Sequence, residues 1–228
     1  MPYSIDLIDK DSYIEIAIIN EIILRLNKRA NAAIPRMKDQ LSKLIKKELK
    51  KTLVYKEAVY GELRAHLGFI KGREKEIMDG IISIIADEVR VDFTDFVNTR
   101  GISITGGYTI YMVDSEFRNA LSSSLAVTIN KGEELPWLEW LLKEGDRIII
   151  AGYKIVMGSF PTSRSKEAIM VKGGIRPFWR VPSQFSGVEK LNWITKAFRG
   201  QSMSEDTVLG DIQIMMEHIV YSNLERVL

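Results

Sequence analysis

The stretch Arg73–Thr94, REKEIMDGIISIIADEVRVDFT, decides the fold. In its first part the apolar residues Ile77, Ile81, Ile84 and Ile85 recur at the spacing of one face of a helix. After Glu88 the period drops to two. Val89, Val91 and Phe93 alternate with Arg90, Asp92 and Thr94, which sends the two sets to opposite faces of a pleated strand. The pattern predicts a helix over 73–88 and a strand from 89 onward.

Upstream of this switch the chain reads as helical. Ser12 followed by Glu15 forms a capping box. Ile18, Ile19, Ile22, Ile23 and Leu26 lie on one helical face, and Met37, Leu41, Leu44 and Ile45 continue an apolar stripe beyond Pro35. Proline has no amide hydrogen, so Pro35 is expected to kink or restart that helix. A third helix is expected over 56–66, ending near Gly68.

Downstream, Ile102–Met112 (ISITGGYTIYM) reads as a hairpin turning on Gly106-Gly107, because glycine takes the positive φ of a primed turn without strain. A short helix over 115–122 and a strand over 125–129 follow. In Leu135–Gly158, LPWLEWLLKEGDRIIIAGYKIVMG, Pro136 sits at a helix start and Gly145 at a helix end. Arg147–Ala151 and Tyr153–Met157 are expected to pair around Gly152, and Ala168–Lys172 adds a strand. Leu191, Ile194 and Phe198 mark a helix closed by Gly200. Ser204 opens a last one carrying Val208, Leu209, Ile212, Met215, Met216, Ile219 and Val220. Helices first, strands with small helices next, and a helix last give an α+β chain. The expected division is a helical N-terminal region over 1–88 and an α/β body over 89–228. The body holds a mostly antiparallel sheet with flanking helices and the C-terminal helix.

The 228 residues are 46% apolar, enough for a sizeable core. There is no cysteine, which removes disulfides, thiolate metal sites and cysteine nucleophiles together. The start, MPYSIDLIDKD, lacks the basic and apolar regions of a secretion signal. No apolar run approaches the roughly 20 residues of a membrane span, so no membrane partner is expected. Charge is unevenly spread. Ten Lys or Arg between Arg25 and Lys51 face only Asp39 and Glu48, a local charge of +8 in a chain of net +2, which leaves −6 elsewhere. A basic arm on an acidic body fits polyanions or an acidic neighbour.

No catalytic constellation stands out. His66 and His218 lack partners at metal or triad spacing, and no phosphate-binding loop, dinucleotide fingerprint, HExxH or GxSxG motif is present. Neither a cofactor nor a metal ligand set is expected. Asp92 and Asp95 could serve a metal-dependent nuclease, but three apart on a strand they face opposite ways. Lys43, Lys46, Lys47 and Lys50 line the back of the basic helix and are the candidates for contact with a polyanion or an acidic partner. They lack interleaved aromatics to stack on bases. Trp137, Trp140 and Trp179, with Arg164 and Lys166 of the basic loop Thr162–Lys166, are the candidates for an interface or assembly surface.

Several segments together resemble the virion morphogenesis, neck or tail-completion proteins of tailed bacteriophages. They are LPWLEWLLKEGDRIIIAGYKI, then SRS, then EAIMVKGG, FWRVPSQFSG and NWITKAF, preceded by VYGELRAHLGF and IMDGIISIIADEVRV. The similarity covers roughly 53–199 and leaves the helix after Gly200 unmatched. It implies a structural, non-enzymatic subunit at the head–tail junction, in the virion after assembly in the host cytoplasm. That subunit would form a homo-oligomeric ring, six-fold like a tail terminator or twelve-fold like a neck ring. Its neighbours would be portal-side, neck or tail-tube proteins, with non-specific contact to passing DNA. The alternatives are a nucleic-acid-binding module using the basic helix and a small metal-dependent nuclease.

Overall fold

The computed structural model describes residues 11–99, 103–112, 117–130, 133–144, 150–173, 178–185, 187, 192–199 and 211–226. The switch of period falls where the pattern puts it. Helix α4 (Glu74–Asp87) ends and strand β1 (Val89–Thr99) begins two residues later. On α4 the buried face is Ile77, Met78, Ile81, Ile82 and Ile85, so Met78 and Ile82 join it while Ile84 is only half-buried.

Ahead of α4 lie α1 (Asp11–Leu49), α2 (Leu53–Val59) and α3 (Leu63–His66). Helix α1 is continuous for 39 residues with Pro35 inside it. The helix does not restart at Pro35. Pro35 is on the exposed side, where the Asn31 carbonyl that it leaves without a donor can be hydrated. Ser12 falls inside the helix rather than at its cap. The helix expected over 56–66 is two helices, split at Tyr60–Glu62. Thr52 joins α1 to α2: its hydroxyl donates to the Leu49 carbonyl at 2.7 Å and accepts from the Tyr55 amide at 3.3 Å. Gly68, at φ +70°, ends α3, with the Phe69 amide on the Arg64 carbonyl and its own amide on the Ala65 carbonyl. That pair of bonds is the Schellman closure, which needs a left-handed residue at this point.

After β1 come β2 (Ser103–Met112), α5 (Arg118–Leu121), β3 (Thr128–Asn130), β4 (Glu133–Leu135) and α6 (Trp137–Leu142). The rest is β5 (Ile150–Ala151), β6 (Tyr153–Met157), β7 (Ala168–Lys172), β8 (Phe178–Trp179), α7 (Trp193–Arg199) and α8 (Asp211–Glu225). The chain is α+β. Among the described residues the strands form four two-stranded sheets: β1 with β2, β3 with β4, β5 with β8 and β6 with β7.

Two expected hairpins differ in detail. Gly106-Gly107 is no turn; both glycines sit inside β2, and the β1–β2 connection lies between Thr99 and Ser103. Gly106 is at φ +148°, and a Cβ on it would lie 2.7 Å from the Asp95 carbonyl oxygen and from the Phe96 Cα. The glycine is there so that two backbones can come close, not to reverse the chain. Strand β6 pairs antiparallel with β7, from Tyr153 opposite Lys172 to Met157 opposite Ala168, and β5 pairs with β8. Gly152, at φ +83°, breaks the chain between β5 and β6 and sends them to different partners. The strand expected over 125–129 is a 3-10 turn (Ser124–Ala126) followed by β3. The expectations for 102, 115–116, 145, 147–149, 191, 200, 204, 208 and 209 lie outside the described residues.

The chain divides into two compact units that cut across a boundary at residue 88. The first unit comprises Met1–Gln40, Arg90–Tyr111 and Glu217–Leu228, and the second Leu41–Val89 and Met112–Met216. A boundary drawn where helices give way to strands misses this, because the β1–β2 ribbon packs back on the start of the chain.

In the first unit the buried stripe of α1 is Ile23, Leu26, Ala30, Ala33 and Met37. The Asn27 carboxamide takes both backbone groups of Phe96, accepting its N–H at 2.8 Å and donating to its carbonyl at 3.0 Å. The Tyr108 hydroxyl donates to the Ala30 carbonyl at 2.9 Å, and the Phe93 ring lies against both Phe96 and Tyr108. The buried Asn223 of α8 accepts from Arg36 Nε at 2.8 Å and donates to Gln40 Oε1 at 2.9 Å.

In the second unit Leu41, Ile45 and Leu49 are fully buried with Ile81, Ile82 and Ile85 of α4. The Trp137 indole forms the other part of this core. It sits edge-on to Phe69 at 4.8 Å and donates from Nε1 to the Leu125 carbonyl at 2.8 Å.

Candidate functional site

The lysine face of α1 meets acids from α4. Lys46 donates to Asp87 at 3.0 Å, and Asp87 also accepts from Ser42 at 2.9 Å. Lys50 reaches Asp79 at 2.9 Å. Asp79 gathers more: Lys75 at 2.6 Å and the Tyr55 hydroxyl at 2.7 Å. Burial alone would raise the Asp79 carboxyl, but the hydrogen bonds from Lys75, Tyr55 and Lys50 outweigh it and hold it at about 2. Burial, reinforced by that same carboxylate, pushes the Tyr55 hydroxyl well above the usual tyrosine range. Lys46 and Lys50 are thus engaged by acids of the chain itself, and the side chains of Lys43 and Lys47 are exposed at the surface. The arrangement fastens α1 to α4 within the second unit.

The aromatic candidates lie inside. Trp137, Trp140 and Trp179 are 0, 7 and 3% exposed, so their rings serve the core of the second unit rather than its surface. Trp140 and Trp179 meet at 4.8 Å, edge to face. The Trp179 indole donates to Nδ1 of His66 at 3.2 Å, which requires that nitrogen to be unprotonated. Burial favours the same state and lowers the His66 pKa, against the opposing pull of Glu62. His218, the other histidine, is exposed on α8.

Arg164 and Lys166 belong to the loop that joins β6 to β7. Backbone bonds close it, from Gly158 N–H to the Glu167 carbonyl at 2.8 Å and from Phe160 N–H to the Lys166 carbonyl at 3.1 Å. The Ser165 hydroxyl is buried and accepts from the amides of Glu167 and Ala168. Arg164 donates to the Ile129 carbonyl, and Lys166 to the carbonyl of Pro161. Glu167 anchors the far end, with Arg64 donating to it at 2.6 and 2.9 Å. The loop is a bonded structure that presents Lys166, at φ +61°, to solvent.

Asp92 and Asp95 are both exposed on β1. Asp92 accepts from the Tyr111 hydroxyl across the ribbon at 2.9 Å. Among the described residues no three His, Cys, Asp or Glu side chains are grouped to hold a metal ion. No described helix is long and apolar enough to cross a membrane.

The most distinctive surface of α1 lies off its buried stripe. The apolar pattern puts Ile18 and Ile22 on the buried face, yet they are 55% and 48% exposed. At about 100° per residue, Ile18 is turned a quarter-circle from Ile19, the residue that stands in line with Ile23. Tyr13, Ile16 and Leu24 are exposed as well, and an open groove of about 770 Å3 runs along Tyr13, Ile14, Ala17, Ile18 and Ile22. The signal lies in the excess of apolar residues: ten of the fourteen from Tyr13 to Leu26 are apolar, more than one stripe can use.

Comparison with known protein families, with characterised proteins and with solved structures finds no match.

Proposed function

We propose that this chain is a structural subunit of a tailed-phage virion at the head–tail junction, a neck, tail-completion or tail-terminator protein. It works by homomeric ring assembly and by docking to adjacent rings, not by chemistry. Two things support the reading: the resemblance over 53–199, and the first turns of α1. The side chains of Tyr13, Ile16, Ile18, Ile22 and Leu24 stay open in the single chain, on either side of the buried stripe. Large apolar side chains exposed in such number on one helix mark a protein contact. In a ring, each copy offers such a surface to the next one head to tail.

The nucleic-acid alternative draws on the lysine face. It is weakened because Lys46 and Lys50 already bond to Asp87 and Asp79.

Mass spectrometry and reconstruction of purified virions test the assignment. The chain is expected in mature particles, in a ring between portal and tail tube. Absence from particles, or a place far from the junction, refutes it. Replacing both Ile18 and Ile22 with Lys should leave the chain folded, as judged by circular dichroism, and abolish its incorporation.

A further inference from the structure

The exposed apolar residues of α1 fall on two separate flanks. The buried stripe is Ile23, Leu26, Ala30, Ala33 and Met37. At about 100° per residue, Ile18 and Ile22 stand about 60–100° to one side of it, and Ile16, Tyr13 and Leu24 about 60–140° to the other. All five are exposed. Directly opposite the stripe stand Glu21 and Lys28, both exposed, with Arg25 donating to Glu21 at 2.8 Å. The two flanks also differ in shape. The groove of about 770 Å3 runs along Ile14, Ile18 and Ile22, whereas Ile16 and Leu24 stand outside its lining.

A helix packed on its own unit needs one apolar stripe. A foreign protein laid on one flank would leave the other open. A two-fold pair does the same, because it joins like flank to like flank. A head-to-tail row covers both flanks with one kind of contact and leaves Glu21 and Lys28 in water. Two or three side chains per flank bury less than the about 800 Å2 a side of a standard interface, so one such contact does not hold a free pair. In a closed ring every copy is held twice. We propose that the α1 helices of successive copies stand side by side and point the same way. Ile16 and Leu24 of one copy then seat in the Ile14–Ile18–Ile22 groove of the next. The proposal rests on the homomeric reading above and names the surfaces that join the copies.

The chain has no cysteine, so two single variants can be joined selectively. Ile18→Cys and an affinity-tagged Leu24→Cys are treated with a short bismaleimide, each alone and mixed one to one. This is done in the concentrated full chain and in particles assembled with both variants. The expected result is a tagged–untagged dimer from the mixture and no dimer from either variant alone. Dimers from one variant alone would show like flanks meeting and overturn the proposal. So would absence of the mixed dimer in both settings, or mixed dimers that persist when the reagent is added in urea. A ring at the junction without mixed dimers sinks the α1 contact and leaves the ring. Mixed dimers in the concentrated chain, with the chain absent from particles, sustain the α1 contact and refute the junction assignment.

Discussion

Asn27, in the middle of a long helix, hydrogen-bonds both the N–H and the C=O of Phe96 with its side chain, at 2.8 and 3.0 Å. Its carboxamide does for strand β1 what a neighbouring strand would do. A two-stranded ribbon is marginal by itself in water, and its edges are open to unwanted pairing. The Asn27 contact closes β1 at one point and fixes which strand residue lies over the helix. Asn27→Ala should leave the Phe96 backbone groups unpaired in a partly buried place and cost about 2 kcal/mol. Faster amide exchange over 92–98, with α4 unaffected, is the expected signature. Unchanged exchange there would show that the rings of Phe93, Phe96 and Tyr108 hold the ribbon without help.

Trp137→Ala should be the most damaging single truncation in the second unit. The ring is fully buried against Phe69, and its removal opens a large cavity while it strands the Leu125 carbonyl. A loss of about 3–5 kcal/mol is expected in chemical denaturation. Trp137→Phe, which keeps most of the volume, should lose clearly less.

Asp79 links stability to acid. Its folded pKa of about 2 lies below the ordinary 3.8. The contribution is therefore complete above pH about 4 and disappears as the pH falls through about 2, where the folded carboxylate takes up its proton. Allowing for solvent around Lys50 and Lys75, it amounts to about 1 kcal/mol. Urea unfolding at pH about 6 and about 2.5 should show Asp79→Asn less stable than the parent chain at the higher pH, with the gap narrowing at the lower.

His66 acts in a second window. Its folded pKa is below the ordinary 6.5, since burial disfavours the charged ring. Its contribution is present above 6.5 and is lost as the pH falls through that value towards the lower folded one, because the unfolded chain takes the proton first. Protonation of Nδ1 would also break the bond from Trp179. The melting temperature should fall between pH about 7.5 and about 5.5, and His66→Gln should flatten that part of the profile. An identical slope in the variant would remove His66 as the cause.

Local pattern was enough to read the α4-to-β1 switch, the Gly68 stop and the α+β class, because each depends on residues close in sequence. The errors share one cause. Gly106-Gly107 has the composition of a turn, but the reason for glycine lies across the ribbon at Asp95 and Phe96. The strand Tyr153–Met157 passes over its neighbour in sequence and pairs with Ala168–Lys172. Pro35 is tolerated because of where it faces, which periodicity alone does not give. Among the candidate site residues, the tryptophan spacing fits a core and an interface equally, and burial within the chain separates the two. The lysine face was correctly phased along the helix, while its acids on α4 come from some 30–40 residues away.

All four tryptophans, Trp137, Trp140, Trp179 and Trp193, fall in the second compact unit, whereas the first carries tyrosines such as Tyr13, Tyr108, Tyr111 and Tyr221. The two units therefore differ in colour. Light absorbed at the red edge of the protein band excites indoles alone and reports on the Trp137 core while remaining blind to the β1–β2 ribbon. An emission change that lags the far-ultraviolet dichroism on heating would be the optical trace of the first unit melting ahead of the second.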